Sequence, residues 1–281
     1  MDSDRGFHIY INEGAGTVRR MGKAALEALI SASGLDVECL YFLKPHDMLE
    51  KIRECDEGVP VLIGGGDGTI RSCAAYFAKK NISFGVLPLG TMNLLARDLN
   101  IPDQIDSALG AYARGVEMFE IDAGMVNDEM FLCCSGLGTM PEASEYREQY
   151  RGDSQPILIP RLTAYVLRQM DRMNRKKLTL FLDGKKQKIK TSALVISSNQ
   201  YGPQGRWTEE NFLRTSLQDG ILGVYSAAPY TFWDKLRLLF RLRMGDWKRD
   251  KALQEWDCTH LKIESRDETV LLSLDGETQE F

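Results

Sequence analysis

Hydrophobic positions along the chain fall into two regimes. Through roughly the first 110 residues, short apolar runs alternate with stretches of helical periodicity. Gly6–Asn12 predicts a strand that ends in the loop Glu13-Gly14-Ala15-Gly16 and runs into a helix over Val18–Ser31. Val37–Phe42 predicts a second strand and Met48–Arg53 a short helix. Val59–Ile63 predicts a third strand, which ends in Gly64-Gly65-Gly66 before a helix over Ile70–Lys79. Ser83–Leu87 predicts a fourth strand, stopped by Pro88 and Gly90, with Leu94–Asn100 helical after it. Such alternation predicts a parallel sheet with crossover helices. Beyond about Gly115 the runs come closer together and turns multiply. Phe119–Val126, Glu129–Ser135, Leu178–Leu182, Ala193–Ser197, Ile221–Tyr225, Leu261–Ser265 and Thr269–Leu274 read as strands. Asn127-Asp128 and Asp183-Gly184 are hairpin signals between them. The expected fold is an α/β domain over 1–117 followed by a β-rich, mostly antiparallel domain over 118–281.

Composition narrows this picture. A chain of 281 residues has room for two domains. With 43% hydrophobic and 27% charged residues it is neither disordered nor fibrous. The net charge of −5 weighs against a general nucleic-acid binder. No apolar run approaches the ~18–20 residues that span a bilayer. The N-terminus MDSDRGFHIY lacks the pattern of a signal peptide. The six cysteines form no CxxC pair, so they read as thiols in a reducing, cytoplasmic setting. Cys133-Cys134, adjacent on an expected strand, would point to opposite faces and make a poor metal pair.

The strongest chemical signal is Gly64-Gly65-Gly66-Asp67-Gly68-Thr69, set between an apolar strand and a helix. Glycines at the end of a parallel strand let backbone N–H groups approach a ligand, and the following helix N-terminus adds partial positive charge. Together they make a phosphate cradle. A tight turn with Asp67 as a helix cap is the alternative. Pro88-Leu89-Gly90-Thr91-Met92-Asn93 makes a second such junction and Asn12-Glu13-Gly14-Ala15-Gly16 a third. Three such loops on one sheet edge predict a nucleotide clamp. The Walker, G-x-G-x-x-G, protein-kinase and GxSxG patterns are absent. Near the C-terminus, Asp275 and Glu277 lie two apart and, if extended, share a side. They read either as a base with its partner or as surface acids of a hairpin turn. Asp219-Gly220 reads as a turn.

These blocks, in this order, resemble the diacylglycerol kinase catalytic-domain family, with soluble bacterial lipid kinases as the nearest likeness and sphingosine kinases as more distant relatives. Gly65–Thr69 is similar to the family's GGDGT signature and Pro88–Asn93 to its PxGTxN block. Asp219–Leu222 matches DGxL, and Asp275–Glu277 matches DGE. The resemblance implies ATP-dependent phosphorylation of a lipid hydroxyl with Mg²⁺, diacylglycerol or a similar lipid alcohol being the expected substrate. It implies that Asn12, Gly65, Gly66, Gly68, Thr69, Gly90 and Thr91 hold the nucleotide, with Asp67 and Asn93 in the same polar cluster. It implies Asp275 as general base, Glu277 as its partner and Asp219 as ligand of a structural magnesium. It also implies an active site in the cleft between the two domains.

The chain departs from the family pattern in several places. Glu13 and Ala15 stand in a loop that usually reads NPxSG. Leu94 stands where many members have an aspartate, and Leu132 follows Phe131 where an asparagine is common. Thr139 and Gly223 replace acids, and Gln200–Gly205 is no glycine run.

Tyr230–Lys251 carries seven basic and three acidic residues interleaved with Phe232, Trp233, Leu236, Leu239, Phe240 and Trp247. It predicts peripheral contact with an inner membrane surface, and Arg161–Lys190, with ten basic and two acidic residues, could extend that face. An amphipathic helix packed on the second domain is the competing reading. Two other functions stay open: a soluble-substrate kinase of the NAD kinase type, and a nucleotide or lipid sensor without turnover. Oligomeric state is unreadable. Only four residues follow Asp275-Gly276-Glu277, so Asp275 is expected near a frayed end.

Overall fold

The computed structural model describes residues 6–55, 58–149, 161, 165, 175–202 and 212–281, apart from the side chains of 147–149 and 243. The chain divides into two compact units, one ending at Glu120 and the other beginning at Ile121.

The first unit carries four parallel strands, β1 (Phe7–Asn12), β2 (Val37–Leu43), β3 (Val61–Gly65) and β4 (Phe84–Pro88), in the order β2-β1-β3-β4. Six helices accompany them: α1 (Gly16–Met21), α2 (Lys23–Ala32), α3 (Pro45–Ile52), α4 (Asp67–Lys80), α5 (Leu94–Asp98) and α6 (Ile105–Arg114). Every residue of β3 is buried, as a strand covered on both faces requires. Ile9, Ile11, Leu62, Leu87 and Leu89 pack with Leu26 and Ile30 of α2 and Leu109 of α6.

The expected helix over Val18–Ser31 is two helices, because Gly22 takes φ 86° and breaks the ladder. The sequence reading has no counterpart for α6. From it the Tyr112 hydroxyl accepts from Val86 N–H at 2.7 Å and donates to Val86 C=O at 3.0 Å, so it satisfies the edge strand β4. Burial, opposed in part by that bond to Val86, pushes the Tyr112 phenol up to about 12.

The second unit holds a six-stranded antiparallel sheet of β7 (Cys134–Gly138), β10 (Ala193–Ser198), β11 (Leu222–Ala227), β12 (Leu253–Cys258), β14 (Leu271–Leu274) and β15 (Glu277–Glu280), in the order β12-β11-β10-β7-β14-β15. A three-stranded sheet runs β13-β8-β9, from β13 (Leu261–Glu264), β8 (Lys176–Leu182) and β9 (Lys185–Thr191). β5 (Gly124–Val126) and β6 (Glu129–Phe131) make a hairpin. Leu178, Leu180 and Ile189 of the smaller sheet share one core with Leu194, Ile196, Val224, Leu272 and Leu274 of the larger. α7 (Thr139–Gln149) covers the opposite face, where Met140 fills the space left by the missing side chain of Gly136. α8 (Phe232–Met244) starts at a capping box of Thr231 and Asp234.

Lysine-rich β9 escaped the reading because only Ile189 and Thr191 of its seven residues are buried. Polar β15 escaped for the same reason. β15 also overturns the frayed end expected at Asp275. It pairs with β14 along its length, and Phe281 and Val270 exchange two backbone hydrogen bonds beyond it.

Candidate active-site residues

In the first unit, β1, β3 and β4 all end at the same edge of the parallel sheet, so the three expected loops meet. Leu89 N–H donates to Gly65 C=O, and Thr17 N–H donates to Leu89 C=O. Asn12, buried at the end of β1, donates from Nδ2 to Thr69 Oγ1 at 2.8 Å and accepts from Gly14 N–H at 2.8 Å. Asn93 takes the left-handed conformation, φ 49°, and its Oδ1 accepts from Gly90 N–H at 2.8 Å. A Cβ on Gly90 would lie 2.5 Å from Gly66 Cα, and one on Gly65 would lie 2.7 Å from Thr69 Cβ. Glycine is therefore needed at 90 because two backbones touch, and at 65 because the Thr69 side chain fills the space.

α4 begins at this junction with Gly66 as N-cap and no side chain capping it. Gly68 and Thr69 belong to its first turn, whose N–H groups lack intrahelical acceptors. Open N–H groups, the helix dipole and the absence of Cβ atoms suit an anion such as phosphate. Asp67 does not cap α4. Its Oδ1 accepts, at 3.3 Å, from the N–H of Leu95 in the first turn of α5. The structure thus brings Asn12, Gly65, Gly66, Asp67, Gly68, Thr69, Gly90 and Asn93 to one sheet edge. Thr91 is there too, its Oγ1 4.0 Å from where a Cβ on Gly16 would stand.

In the second unit, Asp275 and Gly276 form the turn between β14 and β15, with φ 47° and 90°. Two successive positive φ values are the signature of a type I′ hairpin. The turn is the hairpin expected of surface acids, yet Asp275 is only 4% exposed. Its Oδ2 accepts from Leu132 N–H at 2.6 Å, and its Oδ1 accepts from Cys133 and Cys134 N–H at 2.8 and 2.9 Å. Three N–H donors on one carboxylate are charge-assisted bonds that fix both its oxygens. They also explain why the expected strand Glu129–Ser135 is interrupted between β6 and β7: the chain turns its amides toward the carboxylate there. Cys133-Cys134 therefore do not share a continuous strand. Glu277 is exposed in β15, and the left-handed turn removes the extended geometry on which a shared side with Asp275 rested.

Arg214, which the sequence reading missed, donates from Nη1 to Leu132 C=O at 2.7 Å and to Ser198 C=O at 2.9 Å. It ties the segment that holds Asp275 to β10. Asp122 and Asn199 were missed as well. Asp122 Oδ2 accepts from Asn199 Nδ2 and from Gly220 N–H, at 3.1 and 2.7 Å, and Asn199 Oδ1 accepts from Asp219 N–H at 3.2 Å. The one available signal was a polar Asn199 at the end of an apolar strand.

This knot fixes the Asp219-Gly220 turn and leaves Asp219 exposed. Asp219 brings a single carboxylate, and Asp122 is already engaged. Among the described residues no group of three His, Cys, Asp or Glu could hold a metal. A Mg²⁺ ion there would be held by the Asp219 carboxylate with backbone oxygens and water, not by a cage of side chains. The glycine-poor stretch from Gln200 lies outside the described residues from 203 to 205, as does most of 162–174 in the basic stretch Arg161–Lys190.

Comparison with known proteins agrees with the motif reading of the first unit. Residues 7–126 match the family model described as the diacylglycerol kinase catalytic domain. Among curated proteins, an uncharacterized protein of Synechocystis is 24% identical over 65% of this chain and 41% of its own length. The "probable lipid kinase YegS-like" of Yersinia pestis is 41% identical over 28% of this chain and 29% of its own. The chain thus spans less than half the length of these relatives. Among solved structures, a candidate diacylglycerol kinase from Bacillus anthracis superposes with a TM-score of 0.73 at 16% identity, covering 100% of this chain and 93% of the other. A further diacylglycerol kinase structure from Bacillus anthracis gives 0.59 at 13% identity, covering 100% and 92%. At such identities the likeness speaks to the fold, which is that of an α/β unit followed by an antiparallel β-rich unit.

Proposed function

From the match of residues 7–126 to the family model described as the diacylglycerol kinase catalytic domain, we propose that the chain is an ATP-dependent lipid kinase that transfers the γ-phosphate to a lipid hydroxyl, with diacylglycerol or a similar lipid alcohol as acceptor. The observation that carries the reading is the sheet edge where three glycine-bearing loops meet the uncapped N-terminus of α4. Phosphoryl transfer needs mainly positioning and stabilisation of charge, and such an edge offers both. Gly65, Gly66, Gly68 and Thr69 would present backbone donors to the phosphates. Asn12 and Asn93 would hold the flanking loops, and Gly90 and Thr91 would shape the wall. Asp67 is the carboxylate at that edge and the residue that would face nucleotide-bound Mg²⁺, which supplies charge neutralisation when bound.

Asp275 is the base of this reading, a buried carboxylate whose position is set by three amides. It would take the proton of the acceptor hydroxyl as the oxygen attacks phosphorus, and the ATP side would leave as ADP. A second reading is favoured by the same three bonds. Asp275 could serve only to anchor the hairpin, in a protein that binds nucleotide without turnover.

The test is incubation with labelled ATP and a panel of diacylglycerol, monoacylglycerol, a sphingoid base and NAD in mixed micelles, with the product identified by mass. Phosphorylated lipid is expected. Phosphorylated NAD alone would assign a soluble-substrate kinase, and ATP binding with no product would assign the second reading.

A further inference from the structure

α8 presents an apolar face that the second unit does not cover. Phe232 is 65% exposed, Trp233 73%, Leu236 44% and Phe240 63%, with Tyr230 just ahead of the helix at 81%. At about 100° per residue, Phe232, Leu236, Phe240 and Trp233 fall within roughly 100° of arc, one stripe along the helix. The opposite side is buried through Leu238 and Lys235. Packing of the helix on its own domain therefore accounts for one face and leaves the aromatic one unexplained.

The sequence predicts that basic and aromatic residues dock together, and the structure shows part of that basic charge already paired within the unit. Arg237 bonds Asp234 at 2.8 Å and Asp250 at 2.9 Å, and Arg241 faces Asp246 and Asp250 at 3.5 Å. Lys248 bonds Tyr201 C=O and faces Glu255. Each of the three acids between Tyr230 and Lys251 is thus tied to an arginine of α8. With seven bases against three acids the segment keeps a surplus of positive charge. Arg175 adds to it, stacked 4.2 Å from the Tyr230 ring and bonded to Pro229 C=O. No helix is long and apolar enough to cross a membrane among the described residues.

An exposed Trp, Tyr and Phe stripe with residual positive charge and no unpaired acid complements the interface of an anionic bilayer, where aromatic rings sit at headgroup depth. We propose that α8 lies in the plane of a lipid bilayer surface, seated by Phe232, Trp233, Leu236 and Phe240 and only assisted by basic residues. The choice of a bilayer as occupant rests on the lipid-kinase reading, but its test needs no turnover. The capping box at Thr231 and Asp234 and the left-handed cap at Gly245 hold the helix formed before it meets lipid.

The test is sedimentation of the full chain with vesicles of phosphatidylcholine, with and without phosphatidylglycerol, alongside the double variant Trp233→Ala/Phe240→Ala and its melting curve. Binding of the wild type is expected, with a blue shift of tryptophan emission that Trp233→Phe removes. The double variant should bind at least about tenfold more weakly with an unchanged melt, since both side chains are exposed. High salt should weaken wild-type binding less than the aromatic substitutions do. Absence of vesicle binding, or equal binding by the double variant, would overturn the proposal. So would a dimer in buffer that the double variant loses while neither protein binds vesicles, which would give the face to a second copy. Failure of the mixed-micelle assay with vesicle binding intact would overturn the kinase reading and leave this one standing.

Discussion

The glycine loops of the first unit and the Asp275 turn of the second are built from opposite materials. Gly64–Thr69 and Pro88–Asn93 are continuous segments, each set between a strand and a helix, and their defining property is the absence of side chains. Asp275 is one side chain held by amides up to 143 residues away, on a segment whose side chains play no part in the bonds. The first arrangement belongs to local sequence and the second to the fold. A glycine cradle tolerates little added volume but makes few demands on distant residues. A carboxylate held by remote amides depends on whatever positions that remote segment, here Arg214 and β10.

That contrast orders the tests. The largest effect is expected from Asp275→Asn, which keeps the size of the side chain and removes the base. Product formation in the lipid assay should fall by about 10²–10⁴-fold, the range general-base catalysis supplies, with ATP affinity unchanged by titration.

Gly90→Ala should act in the other unit and in another way. Its Cβ would lie 2.5 Å from Gly66 Cα, a backbone atom that cannot swing aside. Denaturant unfolding should show a loss of about 1–3 kcal/mol, together with weakened ATP binding.

Arg214→Gln should loosen the Leu132–Cys134 segment without touching the nucleotide loops. The expected signature is a lower kcat at unchanged KM for ATP and a stability loss of about 1–3 kcal/mol, the scale for disturbing a charged hydrogen bond. A change confined to KM for ATP would contradict this role.

The smallest effect concerns pH. Burial pushes the Asp250 carboxyl upward, but the Arg237 hydrogen bonds, the Ala252 N–H and the Arg237 and Arg241 charges outweigh it and hold the group below its ordinary value. A carboxyl depressed in the folded state contributes stability that is present above its unfolded pKa of about 3.9 and is lost as pH falls through the folded value. The Tm difference between wild type and Asp250→Asn should therefore be full at neutral pH and shrink below about pH 4.

The legibility of the chain follows the same division. β1, β3 and β4 were readable because buried parallel strands are continuous apolar runs, β2 because its run is apolar although it is an edge strand with no fully buried residue, and the loops because Gly-Gly-Gly-Asp-Gly-Thr has few other uses. α6 went unread although its Ile105, Ala108 and Leu109 are buried, and β9 and β15 because lysine and glutamate conceal their pairing. The Asp275-Gly276 turn was legible as a hairpin, but its burial was not, since amides of Leu132, Cys133 and Cys134 carry no signal in their side chains. The basic-aromatic stretch was legible as amphipathic. Which of its charges were already matched depended on Asp250, an acid beyond the helix whose role only the fold reveals.

The most direct measurement is to titrate ATP and assay lipid phosphorylation on the same preparations of wild type, Gly90→Ala and Asp275→Asn. The account predicts that wild type binds and transfers, that Asp275→Asn binds like wild type and fails to transfer, and that Gly90→Ala is impaired already at binding. Transfer by Asp275→Asn at the wild-type rate, or ATP binding by Gly90→Ala equal to wild type, would contradict it.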